Sequence, residues 1–213
     1  MIIVAAGRSV RYGGDKLMTA VGGIPLVAHT VSAVAGQVDR CILVCRQDQV
    51  SALNRLDLGV GIVPGGPTRT ASEMAGLAAI GEAASLIGVH DGARPLVTPA
   101  LIEILFQTAE RVGGAVPVVH PAQPLVQKPD LSLVQGAMVA QTPQVFRGEE
   151  LLAAYVSAAK MEYAAQDTAE IAQRFGRLAI QAVPGDSDNV KVTEPGDIEQ
   201  IREALETSRN EPR

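Results

Sequence analysis

The order of short apolar runs and amphipathic stretches constrains the fold of this chain more than any other feature of its sequence. Runs rich in Val, Ile, Leu and Ala predict buried strands at residues 1–6, 41–45, 60–63, 86–90, 115–119 and 178–183. Apolar residues three or four positions apart predict helices at 25–35, 48–56, 70–80, 100–112, 149–159, 168–175 and after residue 193. Such alternation produces a parallel sheet covered by helices on both faces. We therefore predict one α/β domain over 1–213, in three layers around a mostly parallel, twisted sheet, with ligands at the carboxyl ends of the strands.

Capping residues indicate where several helices begin and end. Pro25 suits the first turn of the first helix and Gly36 suits its end. Asp48 and Thr98 are good N-caps for two later helices, and Thr193 is expected to cap the last one. We expect disorder only at residues 210–213.

One stretch interrupts the alternation. Residues 121–135 contain proline and show only weak periodicity, and a strand-like pattern resumes at 137–140. The stretch is too long and too apolar to lie free in water, with apolar residues at Leu125, Val126, Leu131, Leu133 and Val134. We therefore predict a protruding arm at about 120–141 that packs against a second copy of the chain, giving a homodimer.

Composition excludes several classes of protein. The net charge of −5, the 3% aromatic content and the lack of Trp disfavour nucleic acid as a partner, because its binding needs many cations and stacking surfaces. We expect no membrane span and no signal peptide, since the sequence has neither a run of about 20 apolar residues nor a charged leader. Cys41 and Cys45 lie in one predicted strand with Cα atoms about 13 Å apart, too far for a disulfide. A cytoplasmic protein is expected.

The loop after the first strand, residues 5–16, has the ingredients of a phosphate-binding site. Small residues such as Gly7 let a nucleotide approach the backbone amides, and Arg11 and Lys16 supply positive charge. Leu17 stands where a P-loop needs Ser or Thr, and Ser9 stands where the dinucleotide fingerprint needs glycine, so neither motif is present. An ordinary glycine-rich surface turn is the alternative interpretation.

Four later segments carry further candidate residues. Residues 65–72 lie between a predicted strand and a helix, and Asp91 ends the fourth predicted strand, where a carboxylate suits a metal ion or a ligand hydroxyl. Residues 142–146 and 188–193 complete the set, and the last segment places Lys191 just ahead of the final helix. Taken singly, the segment around Asp91 also fits a solvated turn with an Asp–Arg pair, and Lys191 also fits a surface lysine.

In this order the five segments resemble the 2-C-methyl-D-erythritol 4-phosphate cytidylyltransferases, a family of nucleotidyltransferases with a Rossmann-like fold. The matching patterns span nearly the whole chain and are AAG…R…K at 5–16, GG..R..S at 65–72, HDGARP at 90–95, TPQ.F at 142–146 and DN.KVT at 188–193. The resemblance implies transfer of CMP from CTP to 2-C-methyl-D-erythritol 4-phosphate. The products would be 4-diphosphocytidyl-2-C-methyl-D-erythritol, an intermediate of the non-mevalonate isoprenoid route, and pyrophosphate.

The resemblance also implies a role for each matching residue. The residues expected to contact the nucleotide, the last three of them around the cytosine, are Ala5, Ala6, Gly7, Gly65, Gly66 and Ser72. The catalytic residues, cations that stabilise the transition state or orient the attacking phosphate, would be Arg11, Lys16 and Lys191. The acceptor would lie against Asp91, Arg94 and Thr142. A metal site would involve Asp91 and Asp188.

The implied chemistry suits these residue types. A phosphate monoester already carries charge near neutral pH, because its second pKa is about 6, so the attacking group needs no general base. The barrier lies in bringing two polyanions together, and positioning and cations lower it. Mg²⁺ bound to the triphosphate is the expected cofactor.

Two departures from the family pattern lie in the arm. The segment at 120–123 reads His-Pro-Ala-Gln where the family has Asp-Thr followed by Lys, and Val134 stands where it has a substrate-positioning Arg. They leave open a cytidylyltransferase, or another nucleotidyltransferase, with a different polyol or sugar phosphate as acceptor, such as ribitol 5-phosphate. A nucleotide-binding module without turnover is the third alternative. The convergence of Arg11, Lys16 and Lys191 disfavours it.

Overall fold

The computed structural model of the chain describes residues 1–81, 83–128, 130 and 132–210. The first half contains β1 (Ile2–Ala5), β2 (Ala20–Val21), β3 (Ile24–Pro25), α1 (Leu26–Ala35), β4 (Ile42–Cys45), α2 (Val50–Asn54), β5 (Gly61–Pro64) and α3 (Arg69–Ile80). The second half contains β6 (Leu86–Asp91), α4 (Pro99–Val112), β7 (Gly113–Val119), β8 (Val139–Ala140), β9 (Gln144–Arg147), α5 (Gly148–Lys160), α6 (Thr168–Phe175), β10 (Ala179–Pro184) and α7 (Asp197–Asn210). Every strand and helix predicted from the sequence is present, with ends that differ by a few residues.

The central sheet is mostly parallel, as the alternating sequence predicts. Its strands lie in the order β10-β7-β9-β6-β1-β4-β5, and β8 pairs with the carboxyl end of β7. β6, β1, β4 and β5 are parallel to one another, and so are β7 and β10. β9 lies between β6 and β7 and is antiparallel to both. β9 and the small β2-β3 hairpin were not predicted from the sequence, because both are too short for a period to be recognised.

The sheet separates two hydrophobic clusters, one on each face. Successive residues of a strand point to opposite faces, so Ile2 and Ile3 are both fully buried but belong to different clusters. Helices α1, α4 and α7 pack on the face of Ile3, and α3, α5 and α6 pack on the face of Ile2. This burial on both faces explains why the strands are apolar throughout instead of alternating. The predicted three-layer architecture is confirmed.

Of the three predicted N-caps, two are wrong and one is correct. Gly36 ends α1 as predicted, whereas Pro25, predicted in the first turn of this helix, directly precedes it as the N-cap residue. Thr98 caps α4, since its hydroxyl accepts from the amide of Leu101 at 3.3 Å. Asp48 caps no helix, because it lies inside a 3-10 turn and its carboxylate binds the Arg46 guanidinium at 3.1 Å. Thr193 does not cap the last helix either. Asp197, the first residue of α7, accepts from the amide of Thr193 at 2.6 Å, so the side-chain acceptor lies in the helix itself.

The described residues of the arm between Leu125 and Val134 pair as a hairpin. Val126 and Leu133 form an antiparallel bridge, and the amide of Val134 donates to the carbonyl of Leu125 at 2.8 Å. The side chains of Leu125, Val126 and Leu133 are 45%, 48% and 63% exposed. Leu131, one of the apolar residues predicted to lie in this arm, falls outside the described residues.

Three further expectations concern the carboxyl terminus, the pairing of the cysteines and membrane-spanning helices. Asn210, expected to be disordered, is the last residue of α7, and residues 211–213 of the expected tail lie outside the described chain. Cys41 and Cys45 are both buried and free, which confirms that they do not pair. Among the described residues, no helix is long and apolar enough to cross a membrane.

Gly76 lies where α3 packs closely on β1 and β4, and this contact generates a prediction. A Cβ at Gly76 would lie 2.4 Å from Cγ2 of Ile2 and 3.0 Å from Cγ2 of Val44. Overpacking of this kind costs about 1–3 kcal/mol, so Gly76→Ala is expected to lower the free energy of unfolding by that amount in a urea titration. Gly36→Ala is the matched control, because a Cβ there meets no atom within 4 Å. Equal stability of the two variants would contradict the tight packing.

Candidate active site

A cavity of about 380 Å³ opens at the carboxyl ends of β1, β4, β5 and β6. The sequence predicts a ligand site at this edge of the sheet. The residues that line the cavity from the segments singled out in the sequence are Ala5, Ala6, Gly7, Lys16, Gly65, Gly66, Ser72, Asp91 and Lys191. The five segments are distant in sequence, yet each one lines this cavity or lies beside it. They come together because parallel strands end at the same edge of the sheet.

Gly65 and Gly66 are required by packing of the protein on itself. A Cβ at Gly65 would lie 2.6 Å from Cβ of Ala6, and a Cβ at Gly66 would lie 2.5 Å from Cβ of Ala71. The amide of Gly66 donates to the hydroxyl of Ser72 at 3.2 Å, which ties the loop after β5 to the first turn of α3. The loop thus forms a close-packed wall made largely of backbone.

Gly7 differs from these two glycines. A Cβ at Gly7 meets no atom within 4 Å, and the residue lines the cavity directly after β1. A side chain at this position would project into open space, so the small residue keeps the backbone accessible to a ligand.

Two lysines from opposite ends of the chain meet at the cavity. The ammonium of Lys16 donates to the carbonyl of Val192 at 2.7 Å, and the ammonium of Lys191 lies 2.7 Å from Oδ2 of Asp91. Burial lowers the pKa of Lys16, and the neighbouring charge of Lys191 lowers it further. Both lysines line the same cavity, and two cations in one concave space favour the binding of an anion.

Asp91 is a buried carboxylate held by cations. Its Oδ1 accepts from Nη1 of Arg69 at 2.8 Å, while Oδ2 faces Lys191, with Nε of Arg94 at 3.7 Å. Burial alone would raise the pKa of Asp91, but the charges of Arg69 and Lys191 outweigh it and hold the pKa well below the usual range. Asp91 is therefore an anion at any physiological pH.

Positive charge dominates the lining of this cavity. Among the described lining residues the only carboxylate is Asp91, and the cations are Arg8, Lys16, Arg46, Arg69 and Lys191. Such an excess in a concave, partly desolvated space suits a polyphosphate ligand.

Four of the predicted site residues lie outside the lining of the cavity. Arg11 is exposed in a 3-10 turn, although its charge contributes to the lowered pKa of Lys16 after burial and Lys191. Arg94 is buried and donates to the carbonyl of Asn189 at 2.6 Å, so it anchors the segment that carries Lys191. Asp188 is exposed, and its backbone amide binds the carboxylate of Asp186.

Thr142, the fourth of these residues, is buried in a hydrogen-bond network with His90. The Thr142 hydroxyl accepts from the amide of Asp91 at 3.0 Å and lies 3.1 Å from Nδ1 of His90, whose Nε2 is 3.0 Å from the carbonyl of Arg94. A neutral imidazole protonated on Nε2 satisfies all three contacts. Thr142 and His90 thus fix the end of β6, where Asp91 enters the cavity.

Several residues of the site were not predicted from the sequence. Arg46 directly follows the strand at 41–45, so its place at a carboxyl end was a usable signal. Arg69 is the arginine of the pattern GG..R..S, but no contact with the ligand or with Asp91 was predicted for it. Glu73 gave no signal, because it binds Arg69 at 2.9 Å from a fully buried position that the sequence does not reveal.

The mostly parallel α/β sheet and its cationic cavity define a Rossmann-like nucleotidyltransferase. A family model described as IspD, 2-C-methyl-D-erythritol 4-phosphate cytidylyltransferase, matches residues 1–207. Relatives with this name occur in Cereibacter sphaeroides, 38% identical over 96% of this chain and 95% of the relative, and in Deinococcus radiodurans, 36% identical over 96% and 88%. The solved structure of such an enzyme from Thermus thermophilus is 28% identical, with a TM-score of 0.81 over 97% of this chain and 98% of that one. The chain belongs to the 2-C-methyl-D-erythritol 4-phosphate cytidylyltransferase family.

The buried His90 generates a prediction about pH. Burial lowers the pKa of His90 to about 4, whereas an unfolded histidine titrates near 6.5. The unfolded chain therefore gains a proton first as pH falls, and the stability that depends on a neutral His90 is complete above about pH 6.5 and is lost towards pH 4. We expect the stability advantage of the wild type over His90→Gln to shrink by about 2 kcal/mol between pH 7 and 4.5 in urea titrations. A pH-independent difference between the two proteins would disprove the assignment.

Proposed function

We propose that the chain transfers the cytidylyl group of CTP to the phosphate of 2-C-methyl-D-erythritol 4-phosphate. An oxygen of the acceptor phosphate attacks the α-phosphorus of CTP and forms a P–O bond. The bond from that phosphorus to the bridging oxygen breaks, and pyrophosphate leaves with the electron pair. The family match over residues 1–207 supports this reaction, as do the relatives that carry the name of the enzyme. The observation that carries the proposal is the meeting of Lys16 and Lys191 in the cavity beside the exposed backbone at Gly7.

The nucleotide is proposed to lie against β1 and the loop after β5. The open backbone at Gly7 offers its amide group to the triphosphate, and Ala5 and Ala6, which line the cavity just before it, are proposed to contact the nucleotide. The close-packed wall of Gly65 and Gly66, with Ser72 behind it, presents backbone groups to the cytosine. Because the wall cannot recede without a clash against Ala6 and Ala71, it favours a pyrimidine over the larger purine.

Cations carry the proposed catalysis. Lys16 stabilises charge on the phosphates during transfer, and Lys191 orients the attacking phosphate. Arg11 is proposed to join them from the exposed turn after Gly7, because it lies in the same loop as Lys16, between β1 and β2. Asp91 is proposed to face the acceptor, while the buried Arg94 and Thr142 act on the acceptor side through the segments they hold.

Mg²⁺ is proposed to enter with CTP as part of the substrate complex. Among the described lining residues Asp91 is the only carboxylate, and both of its oxygens already face cations. Asp188, the other predicted ligand, is exposed and outside the lining. These residues suit a metal ion held mainly by phosphate oxygens, which neutralises part of their charge.

The arm and the cellular location complete the proposal. We propose that the apolar side chains of the arm at about 120–141 pack against a second copy of the chain, and that the enzyme works in the cytoplasm. The exposed Leu125, Val126 and Leu133 support the first part, because apolar side chains that cluster on a protruding hairpin are stabilised by a partner.

A pyrophosphate-release assay tests the reaction. With CTP, Mg²⁺ and a panel of polyol phosphates, we expect the largest kcat/KM for 2-C-methyl-D-erythritol 4-phosphate. Lys16→Ala is expected to lower kcat roughly 100-fold, the scale for the loss of one preorganised donor to a transition state. Lys160→Ala, which removes an exposed lysine at the end of α5, is the control and should retain full activity.

Two results of this assay would reject the proposal. A markedly higher kcat/KM for ribitol 5-phosphate or another polyol phosphate would show that the acceptor is different. The absence of pyrophosphate release with every acceptor would leave a nucleotide-binding module.

The arm generates a separate prediction about assembly. Sedimentation at micromolar concentration is expected to show a dimer, and Leu133→Asp should shift it towards monomer because the charge would be buried in the interface. Met161→Asp is the matched control, since Met161 is 72% exposed and lies outside the arm, directly after α5. A monomeric wild type, or equal dissociation of both variants, would contradict an interface at the arm.

A further inference from the structure

Charged groups alternate in sign along a line that leads away from the cavity. Lys191 contacts Asp91 at 2.7 Å, Asp91 contacts Nη1 of Arg69 at 2.8 Å, and Nε of Arg69 contacts Oε1 of Glu73 at 2.9 Å. The first three residues line the cavity, whereas Glu73 does not. Lys191 is thus connected, through Asp91 and Arg69, to a carboxylate that lies outside the lining of the cavity.

Glu73 is a fully buried carboxylate that accepts three hydrogen bonds. Besides Arg69, its donors are the hydroxyl of Tyr155 on α5 at 2.5 Å and the hydroxyl of Thr168 on α6 at 3.0 Å. Burial raises the pKa of Glu73, and these three donors oppose the rise by favouring the charged form. Glu73 therefore joins the packed helices on one face of the sheet to the charges of the cavity.

Arg69 depends on Glu73 more than its two ion pairs suggest. Its third nitrogen, Nη2, is buried and makes no hydrogen bond to the described residues. Without Glu73, the guanidinium would have the Asp91 carboxylate alone, and it would share that carboxylate with Lys191 and, at 3.7 Å, with Arg94. Three cations would then compete for one buried anion, and the most exposed of them, Lys191, would be held least firmly.

We propose that Glu73 is a positioning residue that holds Lys191 in the cavity by fixing and neutralising Arg69, which in turn fixes Asp91. The effect on turnover rests on the proposed transfer reaction, in which Lys191 orients the attacking phosphate. The effect on the position of Lys191 does not depend on that reaction.

Glu73→Gln tests the proposal because it keeps the shape of the side chain and removes its charge. We expect kcat to fall roughly tenfold or more, the scale on which small displacements of a catalytic group act. In the free enzyme, we expect an amine-reactive reagent to modify Lys191 about threefold faster, as a partly exposed ion pair weakens. Peptide mass spectrometry measures this rate, with the exposed Lys160 as the internal reference.

Two further variants separate positioning from a general loss of structure. Tyr155→Phe removes one donor to Glu73 but keeps the Glu73–Arg69 pair, so kcat and the modification of Lys191 should stay near wild-type values. The double variant Glu73→Gln/Arg69→Gln removes the unbalanced cation together with its partner. It should return the modification rate of Lys191 to the wild-type value or below, and it tests the proposal even if the single variant does not fold.

The modification rate of Lys191 decides whether Glu73 is a positioning residue. An unchanged Lys191 modification rate in folded Glu73→Gln overturns the proposal, whether or not kcat falls. Faster modification in the double variant than in the wild type also overturns it, as does a change in Tyr155→Phe as large as that in Glu73→Gln. If the wild type releases no pyrophosphate with any acceptor, the transfer reaction is rejected, while the modification rates still decide the role of Glu73.

Discussion

The carboxylate of Asp91 lies buried at the end of β6, and the arrangement of the cavity depends on the cations that stabilise it. Burial of an anion lowers the stability of the fold unless charges of opposite sign surround it. Arg69 and Lys191 must therefore both lie beside Asp91. Arg69 is supplied by the start of α3 and Lys191 by the segment before α7, elements on opposite faces of the sheet. One charge therefore gathers distant parts of the chain around the space in which phosphates are proposed to react.

The fold was predictable from the sequence because its signals are local. The apolar run of β1 followed by Gly7, and the cap of α4 at Thr98, involve neighbours in sequence that the structure confirms. The segments that reach the cavity were also predictable, since parallel strands end at a common edge. β9 was missed because it is short. The predicted cap at Thr193 failed on a local contact instead, because the acceptor at the start of α7 is Asp197, four residues further on.

The contacts inside the site were less predictable. Glu73 reads as one more polar residue of a helix, and only the fold brings it to Tyr155, 82 positions away. Thr142 was predicted on the acceptor side, yet its hydroxyl is occupied by His90 and by the backbone of Asp91. A motif identifies residues that share a site, but it does not distinguish a side chain that touches the ligand from one that holds its neighbour.

The reversed direction of β9 determines where the arm is rooted. β7 ends at the same edge of the sheet as the cavity, and β9, being antiparallel to β6, begins at that edge. The chain between them therefore leaves and returns on one side, without crossing the sheet. A parallel strand in the place of β9 would begin at the far edge and would force the connection to pass over a helical layer. The arm is consequently an insertion at the edge of the sheet on which the cavity also opens, and its length and sequence can diverge without disturbing the pairing of β9 with β6 and β7.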